Sequence, residues 1–151
     1  IIDIDGVMTS GHMLYSKTGK YGKIFGPDDN DALKILKKFC SIEFISSDKR
    51  GFSISKKRIF DDMKFKLTLV TNDKKTKWFK NMKNLNNIIY MGDGIYDHEI
   101  FELVGLGIAF KDSLKHVKNK ADIVINRVGS NRAVAEASIY ILKKYFSYKK
   151  F

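Results

Sequence analysis

The chain is poor in the residues that stiffen or staple a protein. Among 151 residues there is one cysteine, one proline and one tryptophan. Cys40 has no partner, which excludes a disulfide framework and suits a reducing compartment; it falls in an apolar helical pattern, where packing is its expected role. No uninterrupted apolar run approaches the roughly 20 residues of a membrane span, and the first residues lack the basic, apolar, small-residue order of a signal peptide. A cytoplasmic chain with no membrane partner is expected. It opens Ile1-Ile2, without Met and inside a strand-like run, so a few leading residues are expected to precede it. Arginine is scarce too, with only Arg50, Arg58, Arg127 and Arg132. The net charge of +11 is therefore mostly lysine, spread along the chain. Nucleic-acid binding needs clustered cations that release counterions, so no nucleic-acid partner is expected. A diffuse positive field still helps to draw in an anionic substrate.

What the sequence does have is alternation. Short β-like runs at 1–5, 42–46, 66–70, 87–91, 105–110 and 122–125 alternate with amphipathic stretches. This predicts one α/β domain over 1–151, a Rossmann-like parallel sheet flanked by helices. One helix is predicted over 30–40, with Ala32, Leu33, Leu36, Phe39 and Cys40 as its apolar stripe. Another starts at Asn131 as N-cap, with Val134, Ala137, Ile141 and Tyr145 on one face. The pattern over 50–63 is helical but broken by Lys56. Before the first of these helices, 12–16 and 21–25 flank Lys17-Thr18-Gly19-Lys20 and read as a β-hairpin.

The chemistry-bearing residues cluster at predicted strand ends. In Ile1-Ile2-Asp3-Ile4-Asp5-Gly6-Val7, residues two apart on a strand share a face, so Asp3 and Asp5 converge where the strand ends. Open α/β sheets bind ligands at that carboxyl edge. Two carboxylates this close suit a nucleophile beside an acid/base, and Gly6 lets the chain turn away. A calcium loop is excluded, because Val7 and Leu14 stand where oxygen ligands are needed. The run Ile88-Ile89-Tyr90-Met91-Gly92-Asp93-Gly94-Ile95-Tyr96-Asp97 brings a second acidic turn to the same edge. Asp93 there can complete a hard-cation site of the kind Mg²⁺ prefers, and Asp97 is placed to orient rather than to ligate. Ser46-Ser47 offers hydroxyls at a strand end for a phosphate oxygen. Lys74 and Lys75 follow another strand, where a lysine can neutralise a transferring phosphoryl group.

Asp-x-Asp-Gly, then Ser, then Lys, then Gly-Asp-x-x-x-Asp resembles, over nearly the whole chain, the haloacid dehalogenase (HAD) superfamily of aspartate-nucleophile phosphatases. The hairpin after Asp5-Gly6-Val7-Met8-Thr9, the segment Phe25-Gly26-Pro27-Asp28-Asp29-Asn30-Asp31-Ala32, and Arg132-Ala133-Val134-Ala135-Glu136-Ala137 resemble its small capless branch. That branch contains 3-deoxy-D-manno-octulosonate 8-phosphate phosphatases, nonulosonate 9-phosphate phosphatases and a domain fused to some CMP-sialate synthetases. The resemblance implies a HAD fold with a hairpin after strand one and no cap domain, a Mg²⁺ cofactor, a phosphorylated sugar substrate and a homotetramer. It makes Asp3 the nucleophile and a magnesium ligand, and Asp5 the acid/base whose backbone carbonyl also touches the metal. Ser46 then holds the phosphoryl group, Asp93 ligates magnesium, and Lys75 or Lys74 is the motif lysine. The chain departs from the branch at Ser10, usually Asp; at Ser47, usually Gly; and around Gly129-Ser130-Asn131-Arg132, usually Gly-Gly-x-Gly.

Substrate choice is expected to turn on Asp48 and Arg58. Octulosonate phosphatases usually carry arginine at the place of Asp48, and the nonulosonate type an acidic residue. An aspartate there repels a sugar-acid carboxylate and accepts bonds from hydroxyls, which predicts a preference for the nonulosonate ester. Arg58 remains to meet a carboxylate. Two other readings stand beside the enzyme: an inactive HAD-like oligomerisation domain, and a phosphorelay receiver. The two-residue Asp spacing at strand one argues against the receiver.

Overall fold

The computed structural model describes residues 1–151. Six parallel strands form the sheet: β1 (Ile2–Asp3), β4 (Glu43–Ser46), β5 (Lys66–Leu69), β6 (Ile89–Met91), β7 (Leu106–Phe110) and β8 (Ile123–Ile125), in the order β5-β4-β1-β6-β7-β8. The hairpin β2 (Thr9–Ser16) and β3 (Gly19–Phe25) forms a separate two-stranded antiparallel sheet. The helices are α1 (Asp29–Leu36), α2 (Phe52–Lys56, continuing as wider turns over Lys57–Asp62), α3 (Asn72–Lys80), α4 (Asp97–Phe101), α5 (Lys115–Lys118) and α6 (Ala133–Phe146). Every predicted strand exists, shortened by one or two residues at its ends.

Alternation within the strands divides the core into two layers. Phe44, Ile108 and Phe110 join Leu33, Leu36, Ile59, Val134 and Ile141 on one face, whereas Ile45, Tyr90 and Ala109 join Phe79, Ile100 and Val117 on the other. Both faces are covered, which is why β7 is buried at every residue and reads as an unbroken apolar run. No helix is long and apolar enough to cross a membrane.

Three local expectations are corrected. The hairpin starts at Thr9 rather than at 12, because its first pair is Thr9 with Phe25. The helix predicted over 30–40 ends at Leu36, and Phe39 instead meets Phe146 and Tyr148 at ring-centroid distances of 5.2 and 5.8 Å. Asn131 is not the cap of α6, and Tyr145 on that helix is 48% exposed. The cap comes from far away in sequence. Asp29, 1% exposed at the start of α1, accepts the Ala135 N–H at 2.8 Å, which locks two helix N-termini together.

Burial raises the Asp29 carboxyl to about 6, against the two backbone N–H groups of Ala135 and Val134 that favour its charged form. A carboxyl raised in the fold holds a proton that the unfolded chain has lost, so its contribution falls as pH rises from about 4 to about 6. In urea titrations, stability is expected to drop across that window by on the order of 2 kcal/mol from this group. The Asp29→Asn variant should show a flatter profile there.

Candidate active site

Asp3 is the last residue of β1 and pairs with Ile45 of β4. The chain then leaves the strand through Ile4–Met8, where Gly6 has φ 90°. A β-carbon at Gly6 would be strained by that φ and would collide with the Asp93 carboxylate. Glycine is thus what lets the loop after β6 come alongside β1. The turn is braced from outside: a β-carbon on Gly129 would strike the Gly6 and Thr9 carbonyl oxygens, and Ser130 N–H donates to Val7 O at 3.2 Å.

Asp3, Asp93 and Asp97 meet at this edge, with one carboxylate oxygen from each lying within 4.8 Å of the others. A single cation faces them. Lys75, on the first turn of α3 and 3% exposed, places Nζ 2.9 Å from Asp97 Oδ1, 3.8 Å from Asp3 Oδ1 and 3.3 Å from the Tyr90 hydroxyl. Lys74, the other sequence candidate, is exposed to solvent. Asp97 spends its second oxygen on the Gly94 N–H at 2.9 Å, which ties the loop to α4.

Burial, with the neighbouring carboxylates adding to it, pushes Asp3 up to about 7 and Asp93 up to about 8, while Lys75 works the other way on both. Burial alone would lower the Lys75 ammonium, yet Asp3 and Asp97 hold it above its ordinary value. Three carboxylates against one ammonium leave the cluster short of positive charge. Asp93 Oδ1 is buried with no hydrogen-bond partner. An orphaned oxygen among crowded carboxylates fits a small hard cation such as Mg²⁺.

Asp5 belongs to a second cluster. Its carboxylate meets Lys23 Nζ of β3 at 2.7 Å (Oδ1) and 2.9 Å (Oδ2), and Ser46 Oγ donates to Oδ2 at 3.2 Å. Ser46 is fully buried at the end of β4 and also accepts the Asp48 N–H at 3.2 Å. Ser47 turns away and donates to Val70 O at 2.7 Å, joining the ends of β4 and β5. Asp48 is not free. Lys20 and Lys23 reach its Oδ2 at 2.5 and 3.0 Å, and Gly51 N–H reaches Oδ1 at 3.1 Å. Partial burial works to raise this carboxyl, but the two lysine bonds prevail and hold it down at about 2. Arg58 is half-buried in the Lys57–Asp62 stretch, where no ion pair ties it to either cluster.

A profile of the haloacid dehalogenase-like hydrolases matches residues 14–137. The chain belongs to this family. It is 31% identical over 148 residues to the 3-deoxy-D-manno-octulosonate 8-phosphate phosphatase KdsC of Haemophilus influenzae, covering 95% of this chain and 81% of that protein. The cobalt-bound structure of the deoxy-D-mannose-octulosonate 8-phosphate phosphatase of Haemophilus influenzae superposes with a TM-score of 0.80 at 25% identity, over 94% of this chain and 85% of that one. A 3-deoxy-D-manno-octulosonate 8-phosphate phosphatase of Moraxella catarrhalis, solved with magnesium, phosphate and KDO, has the same fold, with a TM-score of 0.79 at 21% identity over 94% of this chain and 83% of that one. The expected HAD fold and an enzyme of the phosphatase kind agree with these matches. The inactive-domain reading finds no support in them.

Sequence reasoning did not find Lys20, Lys23, Ser55 or Tyr90. With 28 lysines and arginines in the chain, no single lysine stands out. Tyr90 reads as one more apolar strand residue.

Proposed function

We propose that this chain is a Mg²⁺-dependent phosphatase acting on a phosphorylated sugar or 3-deoxy sugar acid through an aspartyl phosphate on Asp3. The observation that carries this is the meeting of Asp3, Asp93 and Lys75 at the carboxyl edge of the sheet, with Asp5 and Ser46 beside them. The Asp3 and Asp93 carboxylates and the Asp5 carbonyl would hold Mg²⁺, which when bound would offset charge on the phosphoryl oxygens.

Asp3 attacks phosphorus, forming its Oδ–P bond as the bond to the sugar oxygen breaks. Asp5 gives its proton to that leaving oxygen, then takes one from the water that hydrolyses the acyl phosphate. Lys75 stays charged beside Asp3 and balances the transferring group. Ser46 Oγ holds a phosphoryl oxygen, and Asp97 fixes Lys75 and the 93–97 loop. In this reading residues 1–151 form one hydrolase domain, acting in the cytoplasm.

The expected repulsion between Asp48 and a sugar-acid carboxylate is weakened. Lys20 and Lys23 already neutralise that carboxylate, so position 48 presents no net negative charge. Nonulosonate 9-phosphate and octulosonate 8-phosphate both remain within the proposed class, and their kcat/KM ratio separates them. The test is phosphate release from a panel of sugar and sugar-acid phosphates and from a simple aryl phosphate. Turnover that depends on added Mg²⁺ is expected. Full activity after exhaustive chelation would sink the reading.

The same proposal includes a homotetramer built through the hairpin. Met13, Tyr15, Tyr21 and Ile24 are 51%, 52%, 62% and 47% exposed on the hairpin, apolar side chains that neighbouring subunits can cover. A monomeric mass in solution at micromolar concentration would contradict it.

A further inference from the structure

Lys23 enters the active site from outside the β/α core. Its side chain is 1% exposed, with Nζ 2.7 Å from Asp5 Oδ1, 3.0 Å from Asp48 Oδ2 and 2.8 Å from Ser55 Oγ. Lys20 is similarly buried, at 2% exposed, but its one ion pair is to Asp48. In a regular strand, residues three apart face opposite ways, so these two lysines should not share a face. A bulge makes them do so. Leu14 pairs with Gly22 and the adjacent Tyr15 with Lys20, which leaves Tyr21 as an extra residue in β3. The bulge turns Tyr21 outward, 62% exposed, and brings Lys20 and Lys23 down together onto the site.

A desolvated ammonium needs compensating carboxylates, and of the two available to Lys23 one is Asp5. We propose that Lys23 is a positioning residue for Asp5, so that the hairpin is a working part of the active site as well as a surface feature. Lys23 Nζ reaches both oxygens of the Asp5 carboxyl, at 2.7 and 2.9 Å, and so fixes its orientation when the Ser46 hydroxyl turns to the phosphoryl group. The role rests on the phosphatase reading above. Asp5 is the group that delivers a proton to the sugar oxygen when its bond to phosphorus breaks. Misplacing Asp5 should therefore hurt esters whose leaving oxygen needs that proton and spare those whose leaving group departs as a stable anion.

The experiment compares kcat/KM for a sugar phosphate and for p-nitrophenyl phosphate, with Mg²⁺ present, in wild type, Lys23→Met, Lys23→Arg and Lys20→Met. With Lys23→Met, the sugar phosphate is expected to lose at least tenfold more than the aryl ester. Lys23→Arg should recover part of that difference. On a sugar phosphate that carries no carboxylate, Lys20→Met, which removes an ion pair to Asp48 and none to Asp5, should shift that ratio by less than Lys23→Met does. Equal losses on both esters, no loss on either, or a ratio shift of the same size in Lys20→Met would overturn the role. If Lys23→Met does not fold, a wild-type ratio in Lys23→Arg overturns it as well. Wild type inactive on both esters would instead bring down the phosphatase reading, which keeps the two failures apart.

Discussion

Asp3→Asn is expected to lower kcat by on the order of a thousandfold or more, because it removes the atom proposed to bond to phosphorus. Of the two carboxylates beside it, Asp97 has both oxygens bonded, one to Lys75 and one to the Gly94 N–H, and Asp93 is the proposed metal ligand. The loss should not come from unfolding. Asp3 is one of three carboxylates crowded at the edge, and burial already penalises its charge. Replacing it with a neutral isostere relieves repulsion, so without metal the variant should melt no lower than wild type. Single-turnover mixing of each protein with an aryl phosphate measures the first effect, and calorimetry the second. A variant that keeps more than about a tenth of wild-type kcat would mean that Asp3 is not the nucleophile.

Lys75→Met should produce the largest loss of stability of any single change at the site. Lys75 is buried against Asp97 at 2.9 Å and Asp3 at 3.8 Å, and removing it leaves the Asp3, Asp93 and Asp97 carboxylates with no cation among them. Breaking a buried pair from one side costs about 3–5 kcal/mol. The cost should depend on pH. Asp3 near 7 and Asp93 near 8 have folded-state values above the unfolded one, so they are protonated and least repulsive at about pH 5, and their penalty grows as pH rises toward 8. Lys75 lowers both carboxyls, so the variant keeps these protons to higher pH, and its urea midpoint is expected to separate from that of wild type as pH passes about 7 to 8 in the absence of metal. Parallel curves would show that Lys75 does not balance these carboxylates. Activity should fall about a hundredfold or more in the same variant, since the transferring group loses its fixed positive charge.

The inner strands were legible because their residues are buried on both faces. A run such as Leu106 to Phe110 has no other use for five consecutive apolar or small residues. Asp3, Asp5, Ser46 and Asp93 were legible as candidates because each sits within two residues of a strand's carboxyl end, and parallel topology gathers those ends at one edge. The choice between Lys74 and Lys75 was not legible. Neighbouring residues on a helix differ by about 100° in direction, and only the docking of α3 on the sheet sends Lys75 inward and Lys74 to solvent. The α6 cap was hidden for a different reason. Asp29 and Ala135 are 106 residues apart, and nothing local to Asn131 signals that its place has been taken.

The sequence by itself determined the family, the α/β order and the carboxylates that come to the sheet edge, because each follows from periodicity or from a motif only a few residues long. Only the tertiary structure decided how those charges are balanced. It placed Lys75 among three carboxylates, and through the bulge at Tyr21 it brought Lys20 and Lys23 across to Asp48 and Asp5. Compensation between buried charges is set by distance in space, and in a chain with lysine nearly everywhere that distance is not encoded in any local pattern.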